Sequence, residues 1–388
     1  MPWKETYAMD ERKQMILDWK SNKYSIMELA SIYRVSRQAI YKWIRRYQSE
    51  LTFDELSRAP HTVWNRTPDE QIQAILETKK AHMKWGPKKV IAYLNMQHPE
   101  INWPCVTTAG NWLRRHGMVV KRKRVKRIPL YQLPFSDCSA PNSIWSADFK
   151  GHFQMGDKKY CYPLTISDNY SRYILQCRGL LKPRHSDCRV WFEYTFREYG
   201  LPDAIRTDNG TPFTVCSLTG IGRLSKWWIQ LGITPERTGK ASPQENGRHE
   251  RMHRTLKADT TKPPGANIEL QQKKFDAFVD EFNTIRPHEA LGQLPPASFY
   301  VSSKKTFPAK IRQPEYAADM EIRKVKQNGS IRFSDYEIYI GTVLHNEYLG
   351  LREIDNDRWE VYYYHYPLGI LDLAQRKLFC ENQKVSTM

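Results

Sequence analysis

The chain of 388 residues is long enough for about two to four domains, and its net charge of +18 indicates a polyanionic partner, most often nucleic acid. The charge is uneven, because residues 1–134 hold 25 Lys and Arg against 12 Asp and Glu and so carry 13 of the 18 net positive charges. No apolar run approaches the length of a bilayer span and no N-terminal signal pattern is present, so we expect a cytoplasmic, nucleoid-associated protein without a membrane segment.

Residues 1–50 show the spacing of a small three-helix domain. A first helix is predicted over residues 11–21. Ser25 has the position of an N-cap for a second helix, with Glu28 three residues later completing a capping box, and Ser36 caps a third helix. Five apolar side chains of this segment are expected to face inward: Leu29, Ile32, Val35, Ile40 and Ile44.

The third helix carries a contrasting set of side chains on its outer face: Arg37, Gln38, Tyr41, Lys42 and Arg45. This pattern is typical of a helix-turn-helix, whose second helix enters the major groove of DNA by its N-terminal turns. A three-helix bundle without a DNA role shares the apolar spacing, but the basic and amide-bearing outer face favours DNA. The sequence therefore predicts a helix-turn-helix DNA-binding domain over residues 1–50.

A second helical domain is predicted over residues 66–118. Its helices are expected at residues 68–82, 87–97 and 107–116. Arg114 and Arg115 lie on the outer face of the last helix, which favours a second helix-turn-helix-like module over a plain spacer bundle. Residues 119–139 form a basic linker, and its cations are expected to lie along DNA phosphates. These cations are Lys121, Arg122, Lys123 and Arg124.

From residue 143 the pattern changes to the β-branched and aromatic runs of strands. Three such runs are predicted at residues 143–151, 159–168 and 171–180. They are followed by a helix over 185–199, a strand over 204–208, a helix with Trp227 and Trp228, a strand near 233–237 and a helix after Gly247. This order is typical of an α/β fold. The strand-rich segment 319–375 has the spacing of a small C-terminal β-barrel.

Three carboxylates stand out in the α/β region. Asp148 lies in the middle of the first strand, where an ionised carboxylate has no structural reason to be buried. Asp208 ends the fourth strand, and Glu250 lies on a later helix. Clustered carboxylates repel one another unless a cation compensates them, and oxygen ligands favour Mg²⁺ or Mn²⁺ over zinc. Two such ions are suited to an in-line phosphoryl displacement.

The helix around Glu250 allows other interpretations. His249 to His253 forms an H-E-x-x-H, the signature of zinc proteases, but no third ligand is evident downstream and the helix is studded with basic residues. The seven cysteines form no C-x-x-C pair, which also argues against structural zinc. A solvated basic helix without chemistry is the third interpretation. Asp168 is expected to be a structural turn residue and Glu245 an exposed one.

Five segments in this order resemble the insertion-sequence transposases of the DDE superfamily, which have a retroviral-integrase-like core. The segments are WSADFKG, ISDNYSR, GLPDAIRTDNG, PQENGRHERMHRTLK and FNTIRPHEALG. The resemblance implies a ribonuclease H-like catalytic core over residues 140–300, with Asp148, Asp208 and Glu250 as catalytic residues and ligands of two Mg²⁺ or Mn²⁺ ions. Two features depart from it: the stretch between Asp208 and Glu250 is longer than usual, and helix-turn-helix modules replace an N-terminal zinc module.

The resemblance also implies a function. The protein would bind the terminal inverted repeats of its element, cleave a strand with water and transfer the freed 3′-hydroxyl into target DNA. Its expected partners are double-stranded DNA, both repeat and target, and further copies of itself in a dimer or tetramer. Arg254 and Lys257 share a helix face with Glu250 and are expected to hold phosphates. The alternative is a DNA-binding regulator with a vestigial integrase core.

Overall fold

The structure, a computed structural model, describes residues 7–50, 53–55, 66–119, 138–149, 151–208, 210, 212–213, 218–237, 247–355 and 357–380. The chain divides into two compact units, Met1–Thr67 and Pro68–Met388. Within the described ranges, no helix combines the length and the apolar character that a membrane crossing requires. The predicted phosphate contacts of Lys121, Arg122, Lys123 and Arg124 lie outside the described residues, as does Glu245.

The described part of the first unit consists of the helices α1 (Ala8–Lys20), α2 (Ile26–Ile32) and α3 (Arg37–Glu50). The predicted capping box at the start of α2 is confirmed. The Ser25 hydroxyl accepts a hydrogen bond from the Glu28 N–H at 3.3 Å, and the Glu28 carboxylate accepts one from the Ser25 N–H at 2.7 Å. The Ser36 hydroxyl accepts from the Ala39 N–H at 3.2 Å, which caps the first turn of α3.

An apolar core joins these three helices: Met15, Ile16, Leu29, Ile40, Trp43 and Ile44. Two residues predicted to face inward do not, because the side chains of Ile32 and Val35 are 52% and 41% exposed. That prediction was wrong. Val35 lies beyond the end of α2, where the chain turns at Arg34 with a φ of 51°, and Ile32 is the last residue of the helix. The predicted outer face of α3 is exposed at every position: Arg37, Gln38, Tyr41, Lys42 and Arg45.

The larger unit begins with the helices α4 (Asp69–Ala81), α5 (Pro87–Gln97) and α6 (Val106–Arg115). Ile285, from much later in the chain, packs against their apolar core. Polar side-chain pairs extend the same contact: His82 with Glu281, Lys88 with Glu289 and Lys84 with Asp259. These helices therefore pack against the α/β region, and Arg114 and Arg115 stay exposed.

Among the described residues, the α/β region is built on a six-stranded sheet. Its strands are β1 (Ile144–Phe149), β2 (Phe153–Gln154), β3 (Tyr160–Asp168), β4 (Ile174–Leu180), β5 (Ala204–Thr207) and β6 (Thr234–Arg237). Strand β3 pairs antiparallel with β1, β2 and β4. Strands β1, β5 and β6 run parallel, in that order. The mixed α/β architecture predicted from the strand and helix order is confirmed.

Helices cover both faces of this sheet: α7 (His185–Tyr199), α8 (Arg223–Gln230), α9 (Gly247–Thr260) and α10 (Ile268–Asp280). Leu164 and Ile166 of β3 share a core with side chains of α7 and α8. Cys161 of β3 instead packs with side chains of α9 and α10. Because successive side chains of a strand alternate between faces, Thr165 points to the same face as Cys161, toward α9.

Asp168 ends β3 and has a structural role, which supports its interpretation as a turn residue. Its carboxylate accepts hydrogen bonds from the Asn142 N–H at 2.8 Å, from the Ser171 N–H at 2.7 Å and from the Ser171 hydroxyl at 2.6 Å. Burial raises the pKa of this carboxyl, while these hydrogen bonds act in the opposite direction. The side-chain carbonyl of Asn142 in turn accepts from the Trp145 ring N–H at 3.0 Å. Asp168 thus joins the ends of β1 and β3.

The C-terminal region is an antiparallel sheet. Its strands are β7 (Glu321–Lys324), β8 (Ser330–Phe333), β9 (Tyr336–Tyr339), β10 (Tyr348–Asp355), β11 (Arg358–Tyr363), β12 (Tyr366–Asp372) and β13 (Lys377–Phe379). The pairing order is β13-β12-β11-β10-β7, with β8 and β9 as a separate hairpin. The described strands thus form the antiparallel sheet of the predicted C-terminal domain, and the hairpin contacts the two end strands of that sheet. Lys226 of α8 pairs with Glu347 at 2.8 Å and joins this sheet to the α/β region.

Candidate active site

The first two predicted carboxylates lie beside each other at the ends of parallel strands. Ala147 of β1 pairs with Thr207 of β5, so the next residues, Asp148 and Asp208, lie side by side where these two parallel strands end. Adjacent strands lie about 4.8 Å apart, which brings the two carboxylates to one edge of the sheet. The Asp148 side chain is 16% exposed and therefore accessible from solvent.

The backbone after β5 leaves space for the Asp208 carboxylate. The Gly210 N–H donates to Asp208 Oδ1 at 3.1 Å. A Cβ atom at position 210 would lie 2.9 Å from Asp208 Oδ2, closer than real Cβ atoms approach such an oxygen. A larger residue at position 210 would therefore displace the carboxylate, and glycine allows Asp208 to keep this position.

Helix α9 lies against β3 through two buried imidazoles. His249 and His253, spaced four residues apart, are 3% and 4% exposed. The Thr165 hydroxyl lies 2.7 Å from His249 Nε2 and 2.6 Å from His253 Nε2, and it donates to the Asp148 carbonyl at 3.1 Å. The Ser167 hydroxyl lies 3.1 Å from His249 Nδ1. These contacts hold α9 against β3, the strand in which Thr165 pairs with Asp148 of β1.

Burial determines the charge of His249. It lowers the pKa of this imidazole to about 3, because removal from water disfavours the cation. His249 is therefore neutral at physiological pH, with one nitrogen that donates and one that accepts. The contacts of its two nitrogens with Thr165 and Ser167 meet that requirement.

Glu250 follows His249 directly and lies on the other side of α9. Its Cα is about 3.8 Å from that of His249, and its side chain is exposed. Arg254 and Lys257 are exposed as well. The buried face of the helix consists of His249, Met252, His253, Leu256 and Thr260. The helix therefore presents its acid and its two cations to solvent.

The structure also brings together residues that the sequence analysis did not connect. His253 Nδ1 lies 3.7 Å from Asp148 Oδ2, and Asp148, His249 and His253 offer ligand atoms within 4.8 Å of one another. The expectation that the H-E-x-x-H lacks a further ligand was made from the downstream sequence alone, and Asp148 lies upstream. A protease-like zinc site is still not formed, because both Nε2 atoms face the Thr165 hydroxyl.

Comparisons with known proteins agree with this architecture. Models described as integrase core domain match residues 139–243 and 231–296, and a helix-turn-helix domain model matches residues 11–50. The 39.2 kDa protein of insertion element IS476 from Xanthomonas euvesicatoria is 24% identical over 58% of this chain, and the alignment spans 63% of that relative. The insertion element IS136 protein of Agrobacterium fabrum is 34% identical over 28% of this chain and 53% of its own length.

Among solved structures, the magnesium complex of the HTLV-2 integrase catalytic core domain covers 42% of this chain and 99% of its own, with 16% identity and a TM-score of 0.34. The integrase core models match the part of the chain that holds the six-stranded sheet and its helices, and the helix-turn-helix model matches the N-terminal helices. The chain is similar to insertion-element proteins, and the alignments span 53% to 68% of those relatives' own length.

Proposed function

We propose that the chain is a DNA transposase that binds the terminal inverted repeats of its element and catalyses metal-dependent strand cleavage and strand transfer into target DNA. One observation carries the proposal: Asp148 and Asp208 share one edge of the sheet. The Thr165 contacts hold the helix of Glu250 against the neighbouring strand. We infer that a cation is bound among the three acids, because carboxylates that share a site repel one another without one.

The donor atoms fit Mg²⁺ or Mn²⁺. Asp148, Asp208 and Glu250 supply carboxylate oxygens, which hard divalent cations prefer. All three side chains are at least partly exposed, so ions and a DNA strand have access to them. We propose two ions per site, which when bound activate the attacking oxygen and stabilise the leaving oxygen of a phosphoryl displacement.

The chain's own cations would position the DNA. Arg254 and Lys257 lie about 6 and 10 Å beyond Glu250 along the helix axis, at a rise of 1.5 Å per residue. Both are exposed and able to contact successive phosphates. In the first displacement a water oxygen attacks phosphorus and the 3′-oxygen leaves as a hydroxyl. In the second, that 3′-hydroxyl attacks a target phosphate, so each step exchanges one P–O bond for another.

Recognition of the repeats is assigned to α3, with Arg37 and Gln38 in its first turn. We also propose four domains, at residues 1–50, 66–118, 140–300 and 319–375. The third is a ribonuclease H-like core and the fourth a small barrel. Arg114 and Arg115 on the exposed side of α6 support a second helix-turn-helix-like module. A dimer or tetramer on DNA would allow two element ends to be processed together.

The test uses oligonucleotides that carry one element end, with cleavage, strand transfer and end binding measured separately. Asp148→Asn, Asp208→Asn and Glu250→Gln should each abolish cleavage and transfer, because each removes a negative charge from the site. End binding should persist, since the exposed face of α3 is unchanged. Glu193→Gln, an exposed acid of α7 paired with Arg197, is the matched control and should cleave normally.

Retained cleavage in any of the three acid variants would refute the assignment of that acid. If Glu245→Gln abolished activity and Glu250→Gln did not, the third acid would be Glu245. A wild-type chain that binds ends tightly but cleaves none at any divalent metal concentration would support the alternative, a DNA-binding regulator with a vestigial core.

A further inference from the structure

The hydrogen bonds around Thr165 show that one particular ring nitrogen, Nε2, carries a hydrogen in each of two histidines. The Thr165 hydroxyl has one hydrogen, which it donates to the Asp148 carbonyl at 3.1 Å. The Thr165 oxygen must then accept a hydrogen bond from His249 Nε2 at 2.7 Å and another from His253 Nε2 at 2.6 Å. Both imidazoles therefore carry a hydrogen on Nε2.

The remaining nitrogens of the two rings differ in their surroundings. His249 Nδ1 accepts from the Ser167 hydroxyl at 3.1 Å. His253 Nδ1 instead faces Asp148 Oδ2 at 3.7 Å. Asp148 and His253 thus place one oxygen and one nitrogen ligand atom close enough to hold a single ion.

The separation of these two atoms suits a shared ion. Nitrogen and oxygen ligands lie about 2.0–2.2 Å from divalent ions such as zinc, so two ligands of one ion are separated by at most about 4.2 Å. The distance of 3.7 Å is within that limit. A metal-bound histidine typically donates its other N–H to a fixed acceptor, and Thr165 supplies that acceptor for His253.

The geometry points to His253 as a further ligand, through Nδ1, of the divalent ion held by Asp148. This inference rests on the proposed function, which places an ion at Asp148. It adds a nitrogen donor to a site otherwise made of carboxylates. Imidazole suits borderline metals more than Mg²⁺, so the site should bind Mn²⁺, Co²⁺ or Zn²⁺ more tightly than Mg²⁺. Thr165 is then a positioning residue, because it orients His253.

The test measures metal binding in the full chain without DNA. Mn²⁺ is titrated calorimetrically, and pulsed electron paramagnetic resonance then detects whether an imidazole nitrogen is bound to Mn²⁺. The wild type should show that nitrogen signal. His253→Gln should abolish the signal. It should also weaken Mn²⁺ and Co²⁺ binding by at least about 10–100-fold, the loss found when a residue that supports a metal ligand is mutated. Mg²⁺ binding should change much less.

Three further variants distinguish ligation from general disruption. His249→Gln changes the other buried histidine of the same helix face, yet it should keep the nitrogen signal because His249 Nδ1 is directed to Ser167. Thr165→Val removes the acceptor that orients His253 and should weaken Mn²⁺ binding, whereas Thr165→Ser should restore it. Circular dichroism and thermal melting confirm that each variant is folded.

The outcomes separate this inference from the proposed function. If wild-type Mn²⁺ binding is lost in Asp148→Asn but shows no imidazole nitrogen, the ion is present and His253 is not its ligand. A protonated His253 that pairs with Asp148 gives that result and overturns the inference. If no ion binds at Asp148 at all, the proposed function fails together with the inference. A signal that disappears in His249→Gln rather than His253→Gln would reassign the ligand and refute the geometry argued above.

Discussion

Helices α3 and α9 each bury one face and expose basic residues on the other, but they bury different chemistry. The buried face of α3 is apolar, with Ile40, Trp43 and Ile44 in the core of the first unit. The buried face of α9 combines apolar side chains with His249 and His253. Burial of an imidazole costs free energy unless its nitrogens find partners, and β3 supplies the Thr165 hydroxyl to both rings.

This difference follows from what each helix has to position. Apolar burial is roughly proportional to area and is not directional, so it holds a helix without fixing its rotation closely. Hydrogen bonds lose strength steeply with distance and angle. The proposed site requires a defined orientation of α9, which carries Glu250, and directional contacts with β3 provide it. Helix α3 has only to present its exposed side chains to DNA.

The largest effect is expected from removal of the directional contacts of α9. Thr165→Val has nearly the same shape but leaves two buried imidazole N–H groups without an acceptor, at about 1–3 kcal/mol for each. We expect a lower unfolding free energy in chemical denaturation. The cleavage rate should fall by more than the decrease in the fraction of folded protein accounts for. Thr165→Ser is the control and should restore both. If Thr165→Val cleaves as wild type, the hydrogen bonds do not position α9.

The next effect concerns the apolar face of α3. Ile40→Ala should destabilise the first unit by about 2–5 kcal/mol, because it removes a fully buried side chain. Since that unit is compact by itself, the thermal transition of the larger unit should remain in place while end binding is lost. Calorimetry of the full chain checks this expectation. A shift of both transitions would show that the two units unfold together, and Gln48→Ala, at an exposed position of the same helix, should shift neither.

Local signals explain why much of the fold could be predicted from the sequence. The capping box of Ser25 and Glu28 spans three residues, and strand and helix periods identify β1, β3 and α9. Asp148 stands out as an acid within an apolar strand and Asp208 as an acid at a strand end, and neither signal requires knowledge of the partner strand. The failure at Val35 has the same local origin, since a period continued past the end of α2 ignores the turn at Arg34.

The contacts that complete the site are not local. Thr165 and His253 are 88 positions apart, and no spacing rule connects a threonine in the middle of a strand with a histidine on a distant helix. Asp148 and His253 meet for the same reason, through the packing of α9 on β3. The contact of His82 with Glu281 joins residues 199 positions apart. The one signal available was the placement of His249 and His253 on the apolar side of an otherwise basic helix.

A smaller effect is expected on the exposed face of α3. Arg37→Ala or Gln38→Ala should weaken binding to the element's ends by about 1–3 kcal/mol, and binding to random DNA by less, because base contacts supply the difference. Competition binding at fixed salt measures both. Equal losses on both DNAs would place sequence recognition elsewhere, and α6 with Arg114 and Arg115 would be the next candidate.

The smallest effect is expected from the exposed cations of α9. It distinguishes the phosphate contacts proposed for α9 from the base contacts proposed for α3. Arg254 and Lys257 are proposed to hold phosphates rather than bases, so Lys257→Glu should weaken end and random DNA equally and reduce the slope of log affinity against log salt by about 1. Cleavage should decrease while the thermal transition stays unchanged, because exposed substitutions usually alter stability by less than about 0.5 kcal/mol.

The control for this last change is Lys182→Glu, which alters charge equally at an exposed position before α7. It should leave the salt slope and cleavage unchanged, since α7 covers the face of the sheet opposite α9. The Arg254→Glu, Lys257→Glu double variant should reduce the slope by about 2, because separate phosphate contacts contribute independently. If this double variant processes ends at the wild-type rate and salt dependence, the exposed ridge of α9 is only solvated. Helix α9 would then act through Glu250 and its buried histidines alone.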